Sequence, residues 1–82
     1  MMEFPHDVYI LRCADGGPYT GCTNDLDDRI LRHGKGMVIS TKDRLPVECT
    51  VAFGFSDKYK AYAFEKYLKS GSGRAFIKRH LT

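Results

Sequence analysis

The chain has 82 residues, of which 43% are hydrophobic, and a formal net charge of +3. This length and composition fit one ordered domain over residues 1–82, because domains usually contain about 50 to 200 residues, and they exclude a disordered tail or a pair of domains. The chain shows no apolar run near the roughly 18 residues of a membrane span, no export signal and no CxxC pair, so we expect a cytoplasmic protein with no membrane contact and reduced cysteines.

Two β-strands joined by a tight turn are predicted near the N-terminus. Val8-Tyr9-Ile10-Leu11 is β-branched and aromatic, a turn rich in glycine follows, and Tyr19 to Thr23 forms the second strand. Side chains alternate between the faces of a strand, so the loop length decides where Tyr9 and Tyr19 point. A loop with an odd number of residues places both tyrosines on one face, whereas an even number separates them.

A first helix is predicted to begin after Asn24, the expected N-cap, and to end at Gly34. Acidic residues in its first turn suit the positive end of the helix dipole. Its apolar stripe includes Leu26, and at about 100° per residue Arg29 and His33 lie beside that stripe, one turn apart. Both polar side chains are therefore expected at the edge of the packed face.

A loop and a third strand are predicted next. Residues 35–46 contain one more glycine, Gly36, and no clear period, which predicts a loop, and the apolar Met37-Val38-Ile39 is expected to cover part of the core. Val47 to Phe55 has the alternation typical of a strand.

Two helices are predicted to complete the chain. Ser56 is expected to cap a helix from Asp57 to about Lys69, on which Glu65 lies inside or beside the apolar stripe. A turn rich in serine and glycine follows, and Ser72 is expected to cap a short last helix. A carboxylate beside an apolar stripe is costly, so Glu65 calls for an explanation.

Five polar side chains thus fall on or near packed faces: Tyr9, Tyr19, Arg29, His33 and Glu65. Each has an ordinary structural explanation, since strand tyrosines are common in cores and Glu65 can pair with Lys69 at i,i+4. Together they supply the parts of phosphodiester hydrolysis: a carboxylate for a divalent cation, a fixed positive charge and an acid/base group for water. A single carboxylate suits Mg²⁺, which keeps several waters and takes further oxygens from phosphate.

The order and spacing of these residues resemble a known family. Asp7-Val8-Tyr9 is followed after nine residues by Tyr19-Thr20-Gly21, then by Arg29 and His33 on one helix and Glu65 on a later helix. Over nearly the whole chain this resembles the GIY-YIG nuclease family, in particular its small stand-alone bacterial branch, and the N-terminal nuclease domain of the excision-repair incision subunit.

The resemblance implies an α+β fold with a short three-stranded antiparallel sheet flanked by three helices, in the order of elements given above. It also implies roles for the polar set. Glu65 binds Mg²⁺ or Mn²⁺, Arg29 holds the scissile phosphate, Tyr19 together with Tyr9 positions or deprotonates the water, and His33 assists as base or hydrogen-bond partner. The identity of the general base stays open.

The chain departs from the family pattern at several positions. Asp7-Val8 stands where the first triplet has glycine and isoleucine, and Thr20 replaces the isoleucine of the second triplet, whereas the tyrosines and Gly21 are retained. The asparagine that many larger relatives carry after the glutamate is missing. Phosphate positioning is therefore expected to be weaker, or to fall to Ser70 and Ser72.

Basic residues concentrate near the C-terminus. From Lys58 onward there are seven Lys or Arg residues and one acid, the footprint of a surface that binds a polyanion or of a solvated helix. The residues expected to contact DNA phosphates are Lys66, Lys69, Ser70, Arg74 and Lys78. Such contacts carry no base sequence, so we expect recognition of DNA shape, such as a branch, flap or nick.

Three functions are consistent with these residues. The first is a metal-dependent, structure-selective DNA endonuclease. The second is a catalytically weak or inactive DNA-binding module, or a subunit recruited by an unknown protein partner. The third is a protein-interaction domain in which the polar set is incidental.

Overall fold

The computed structural model describes residues 4–81. In chain order the elements are β1 (His6–Cys13), β2 (Pro18–Thr23), α1 (Leu26–Gly34), β3 (Val47–Phe55), α2 (Lys58–Lys69) and α3 (Gly71–His80). The strands form one antiparallel sheet in the order β2-β1-β3, which makes β1 the central strand. The predicted α+β architecture is confirmed. Within residues 4–81, none of the helices is long and apolar enough to cross a bilayer.

The β1–β2 hairpin places both predicted site tyrosines on one face of the sheet. Leu11 pairs with Tyr19 and Tyr9 pairs with Gly21. The Cys13 N–H donates to the Gly17 carbonyl at 3.0 Å, which leaves residues 14–16 as the loop, an odd number. Side chains two residues apart on a strand share a face, so Tyr9 lies on the same face as Leu11. Tyr19 is paired with Leu11 and therefore lies on that face too.

The hydrophobic core lies on the other face of the sheet. Val8 and Ile10 of β1 pack against Ala61 and Leu68 of α2 and Ile77 of α3, and all five side chains are at most 2% exposed. Fully burying such an aliphatic side chain stabilises the fold by about 1.5–3 kcal/mol. The two helices therefore anchor one face of β1 and leave the tyrosine face to α1 and the loop that follows it.

The N-caps of α1 and α2 differ by one residue from the sequence predictions. Asp25, and not Asn24, caps α1, and Asp57, and not Ser56, caps α2. Each aspartate carboxylate accepts a backbone N–H of its first turn, at 3.1 Å in α1 and 2.8 Å in α2. A charged acceptor also stabilises the positive end of the helix dipole, which neither the amide nor the hydroxyl does.

The ends of α1 and α3 also differ from the predictions. Ser70, and not Ser72, caps α3, because its hydroxyl accepts the Gly73 N–H at 3.1 Å. Helix α1 includes Gly34, and the turn in the left-handed region comes at Gly36, with φ 73°. The glycine that permits the reversal thus lies two residues beyond the predicted end.

The loop over residues 35–46 lacks helices and strands, as predicted, but it buries different side chains than expected. Met37 and Ile39 are 65% and 84% exposed and Val38 is half-buried, so the expectation that Met37-Val38-Ile39 covers part of the core is wrong for Met37 and Ile39. Thr41 is fully buried instead. The N–H groups of Thr41 and Lys42 both donate to the Val38 carbonyl, and around this tight turn Met37 and Ile39 are exposed while Thr41 is buried.

Candidate active site

Three aromatic rings form a cluster where α1 covers the tyrosine face of the sheet. The His33 ring meets both phenols edge-on, with centroids 5.6 Å from Tyr9 and 5.3 Å from Tyr19, and the two phenol centroids are 6.4 Å apart. Tyr9 and His33 are fully buried, whereas Tyr19 is half-buried. Tyr19 is therefore the ring of this cluster that solvent can reach.

A chain of hydrogen bonds runs through the buried part of the cluster. The Tyr9 hydroxyl lies 2.7 Å from His33 Nε2 and accepts the Arg29 Nε–H at 3.3 Å. On the other side of the ring, His33 Nδ1 lies 2.7 Å from the Thr41 hydroxyl, which itself donates to the Val38 carbonyl at 3.5 Å. Because the Thr41 hydrogen is used, its oxygen accepts from Nδ1–H, and we assign Nε2 as the acceptor of the Tyr9 hydroxyl.

The pKa shifts agree with this direction of donation. Burial and the nearby Arg29 charge lower the pKa of His33, so the imidazole is neutral near pH 7 and Nε2 can accept. Burial raises the pKa of Tyr9 despite the hydrogen bond from Arg29, so this phenol keeps its proton. The Tyr9 hydrogen bond raises the pKa of Arg29, which stays charged. The cluster thus carries one positive charge beside two neutral groups.

Gly21 is the residue that makes room for the Tyr9 ring. A Cβ at this position would collide with the hydroxyl and ring carbons of Tyr9 on the neighbouring strand. A side chain larger than hydrogen would therefore push the phenol away from Arg29 and His33. This close contact with Tyr9 explains why glycine occupies the last position of Tyr19-Thr20-Gly21.

A model of the GIY-YIG catalytic domain matches residues 5–79 of the chain, a span that contains all the residues of this cluster. The chain belongs to the GIY-YIG family. This is a family of nucleases, so the predicted family resemblance is confirmed.

Relatives of similar size exist in several bacteria. A UPF0213 protein of Streptococcus agalactiae is 36% identical over 85 residues, an alignment that covers 98% of this chain and 96% of the relative. UPF0213 protein YazA of Bacillus subtilis is 44% identical over 66 residues, covering 78% and 66% of the two chains. The solution NMR structure of UPF0213 protein BH0048 from Bacillus halodurans superposes with a TM-score of 0.58 at 35% identity, over 90% of this chain and 82% of that one. These matches confirm the predicted small bacterial branch of the GIY-YIG family.

Glu65, the fifth predicted site residue, lies on α2, the helix that packs on the opposite face of the sheet. Its carboxylate pairs with Lys69 at 3.2 Å, and its side chain is 23% exposed. Burial, followed by the charge of Glu65, raises the pKa of Cys22 on the edge strand β2. The pKa of Tyr9, raised chiefly by burial, is raised further by the same charge. Glu65 thus borders β2 within electrostatic reach of the cluster, whereas Tyr9, Tyr19, Arg29 and His33 are in direct contact.

Glu65 is also the carboxylate on which the predicted metal site depends. Among the described residues, no group of three or more His, Cys, Asp or Glu side chains could hold a metal ion. Glu65 by itself offers one partly exposed carboxylate, and such a donor would fit an Mg²⁺ ion that keeps its waters and shares the phosphate oxygens of a substrate. It does not fit a structural zinc site, which needs about four protein ligands.

The residues predicted to bind DNA fall into two groups. Lys66 is exposed on α2 next to Glu65 in the sequence, and Lys69 pairs with the Glu65 carboxylate. Arg74 and Lys78 line a separate cavity of about 570 Å³ between α3 and the β1–β2 hairpin. The Ser70 hydroxyl caps α3 and donates to the Tyr67 carbonyl, so its side chain has a structural role.

Sequence reasoning missed residues of two kinds. Thr41 completes the His33 hydrogen-bond chain, but it lies in a loop without periodicity, and no local pattern indicates its burial. Tyr62, together with Lys58 of the basic set noted above, lines a second cavity of about 520 Å³, which also contains Arg29. Their signal was present in the sequence, because exposed tyrosines between lysines on a helix are typical of a nucleic-acid surface.

Proposed function

We propose that this protein is a metal-dependent, structure-selective DNA endonuclease that hydrolyses a phosphodiester bond. The observation that supports this most directly is the Arg29–Tyr9–His33 hydrogen-bond chain, with the accessible Tyr19 phenol packed against it, in a chain of the GIY-YIG family. The arrangement provides a fixed cation and an accessible hydroxyl on one rigid surface. Preorganised charge of this kind is the usual source of large rate enhancements.

Arg29 binds the scissile phosphate in this proposal. Its Nε–H donates to Tyr9, and this contact orients the guanidinium while leaving Nη groups for phosphate oxygens. Arg29 is only half-buried, so a substrate can reach it. The positive charge then stabilises the negative charge that develops on the phosphate as water attacks.

Tyr19 contacts the attacking water, and Tyr9 is a positioning residue. Tyr9 is fully buried and both of its hydrogen-bond partners are protein groups, so it cannot meet water without opening the site. Tyr19 is half-buried and lies against the same imidazole. We propose that Tyr19 orients the attacking water and acts as its general base, with the Arg29 charge beside it.

Glu65 would hold the divalent ion, Mg²⁺ or Mn²⁺. When bound, the ion supplies Lewis-acid stabilisation to a phosphate oxygen. Lys66 and Lys69 flank the carboxylate and bind adjacent backbone phosphates, and Arg74 and Lys78 extend the basic surface along α3. These contacts support recognition of branched, flapped or nicked DNA. The three cysteines are unpaired, which supports a cytoplasmic location.

The experiment that tests the proposal is a cleavage panel of duplex, single-stranded, flap, nicked and branched DNA, with Mg²⁺, with Mn²⁺ and with chelator. We expect wild type to cut at least one of the discontinuous substrates in either metal and none with chelator. Glu65→Gln should lose cleavage. Glu48→Gln is the matched control, because Glu48 is 70% exposed in its side chain and pairs with Arg12.

Two results would contradict the endonuclease, and a third would contradict only the role of Glu65. Binding of DNA without cleavage in either metal would leave the alternative, a DNA-binding module or a subunit recruited by a protein partner. Equal cleavage by wild type and Glu65→Gln would remove Glu65 from the site. No DNA affinity even at low salt would favour the protein-interaction domain, since phosphate binding strengthens as salt falls.

A further inference from the structure

A second cavity, of about 520 Å³, opens directly beside Arg29. Its walls are supplied by β1, the end of β2, the start of α1 and the first half of α2. The residues that line it are His6, Cys22, Thr23, Asn24, Arg29, Lys58 and Tyr62. The volume lies within the roughly 300–1,000 Å³ of ordinary small-ligand sites. The cavity is therefore large enough for one nucleotide, and it contains the arginine proposed to hold the scissile phosphate.

The α2 wall of this cavity combines an exposed aromatic ring with a positive charge. Tyr62 is 53% exposed, and among the described residues its ring has no aromatic partner. Lys58 lies one turn earlier on the same helix, with its ammonium 5.2 Å from the centroid of the neighbouring Tyr59 ring. Aromatic faces beside lysines are how proteins hold unpaired bases and their phosphates.

We propose that this cavity binds one unpaired nucleotide next to the scissile phosphate, with its base stacked on Tyr62 and a backbone phosphate on Lys58. The inference rests on the proposed function and narrows its substrate class. A base within intact duplex is stacked on both sides and cannot offer a face to Tyr62, whereas a base at a flap or an open branch can. The protein therefore selects DNA that is single-stranded at the position beside the cut.

The lining of the cavity matches this ligand better than an apolar one. Arg29 and Lys58 supply two cations, and Thr23 and Asn24 supply polar side chains. The Thr23 hydroxyl already contacts the Asp25 backbone, which leaves the Asn24 amide as the group suited to a base edge. Stacking on Tyr62 is tolerant of base identity, so we expect a preference for unpaired DNA and not for a sequence.

The first arm of the test measures binding without metal. Oligonucleotides with 2-aminopurine at successive positions of a flap or of a fully paired duplex report stacking by quenching. We expect Tyr62→Ala to weaken binding of the flap roughly 5- to 150-fold, to remove quenching at one position and to leave duplex binding unchanged. Tyr62→Phe keeps the ring and should bind as wild type.

The matched control is Tyr59→Ala. This change removes a more exposed ring, 70% against 53%, from the same helix while leaving the Lys58 charge in place. Alanine is the strongest helix former, so neither substitution should unfold α2. We expect Tyr59→Ala to keep the 2-aminopurine quenching that Tyr62→Ala loses, because Tyr59 contacts Lys58 and does not line the cavity.

The second arm measures cleavage of flaps that carry one abasic site at each position around the cut. At one position, the abasic site should lower kcat/KM of wild type as much as Tyr62→Ala lowers kcat/KM on the intact flap. Combining Tyr62→Ala with that abasic substrate should lower kcat/KM no further than either change alone. The inference would be overturned if the decreases in kcat/KM from Tyr62→Ala and from the abasic site multiplied at every position. Equal flap binding by wild type and Tyr62→Ala would also overturn it.

The outcomes distinguish failure of the proposed nucleotide site from failure of the proposed endonuclease activity. If wild type cleaves DNA and Tyr62→Ala binds and cleaves flaps equally well, the proposed nucleotide site is wrong and the proposed endonuclease activity stands. Flap binding that depends on Tyr62 without cleavage in any metal overturns the nuclease and leaves the cavity as a binding site for unpaired DNA. The absence of both binding and cleavage overturns both.

Discussion

Replacing Tyr9 by phenylalanine removes one oxygen from the centre of the site and leaves the packing of the ring unchanged. In the native structure that oxygen serves His33 Nε2 at 2.7 Å and Arg29 Nε at 3.3 Å. Within residues 4–81 every buried side-chain nitrogen and oxygen has a hydrogen-bond partner, so the substitution breaks a complete network. The cost therefore falls on the two groups that lose their partner.

The two groups do not lose equally. His33 is fully buried, so water cannot replace the phenol, and an unsatisfied buried acceptor costs about 1–3 kcal/mol. Arg29 is half-buried, and water can satisfy its N–H group at little cost. We therefore expect Tyr9→Phe to lower the free energy of unfolding by about 1–3 kcal/mol. For a domain of this size that corresponds to a fall in Tm of about 4–8 °C for each kcal/mol.

Urea unfolding followed by circular dichroism measures this change, and the slope of free energy against urea should stay constant. Tyr59→Phe provides the control, because Tyr59 is 70% exposed and its hydroxyl should contribute less than about 0.5 kcal/mol. A Tyr9→Phe protein within about 0.5 kcal/mol of wild type would refute the reasoning, since the hydroxyl would then not be the partner of a buried imidazole.

Three further predictions follow from the same cluster. Gly21→Ala should lower stability by about 1–3 kcal/mol and abolish cleavage, because the added methyl collides with Tyr9; an unchanged Tm with full activity would contradict the contact. Tyr19→Phe should slow cleavage about 10²- to 10⁴-fold with an unchanged Tm, and full activity would exclude Tyr19 as the base. Because burial lowers the pKa of His33 in the folded state, unfolded chains bind more protons at acid pH; stability should therefore fall as pH drops below about 6.5 and through the lower folded pKa. Urea curves from pH 5 to 8 should show a smaller fall in His33→Gln than in wild type.

The elements with strong local patterns were predictable from the sequence. Val47–Phe55 alternates along its whole length, and the structure gives β3 those bounds. The two strands of the hairpin could be predicted, but the number of residues in its loop could not, because that number depends on where strand pairing ends. Only an odd number places Tyr9 and Tyr19 on the same face. The helix caps were missed by one or two residues, because neighbouring polar residues offer similar acceptors to the same N–H groups.

The members of the polar cluster could be predicted from the sequence, but their degree of burial could not. Helical spacing put Arg29 and His33 one turn apart beside the apolar stripe, yet His33 is fully buried because Thr41 satisfies its second nitrogen. That contact joins a helix to a loop, and the burial of a loop residue depends on tertiary packing that no local period reports. The i,i+4 pairing of Glu65 with Lys69 was the ordinary explanation for the glutamate, and the structure contains it.

The Glu65–Lys69 ion pair has a consequence for how affinities would be measured. The Lys69 ammonium pairs with the Glu65 carboxylate, so the divalent ion that we propose at Glu65 would have to compete with it. Backbone phosphates that draw Lys69 away would remove this competition, and by thermodynamic reciprocity the ion would then strengthen DNA binding by the same factor. Metal titrations of the protein alone would accordingly report a weaker affinity than titrations of its complex with uncleavable DNA.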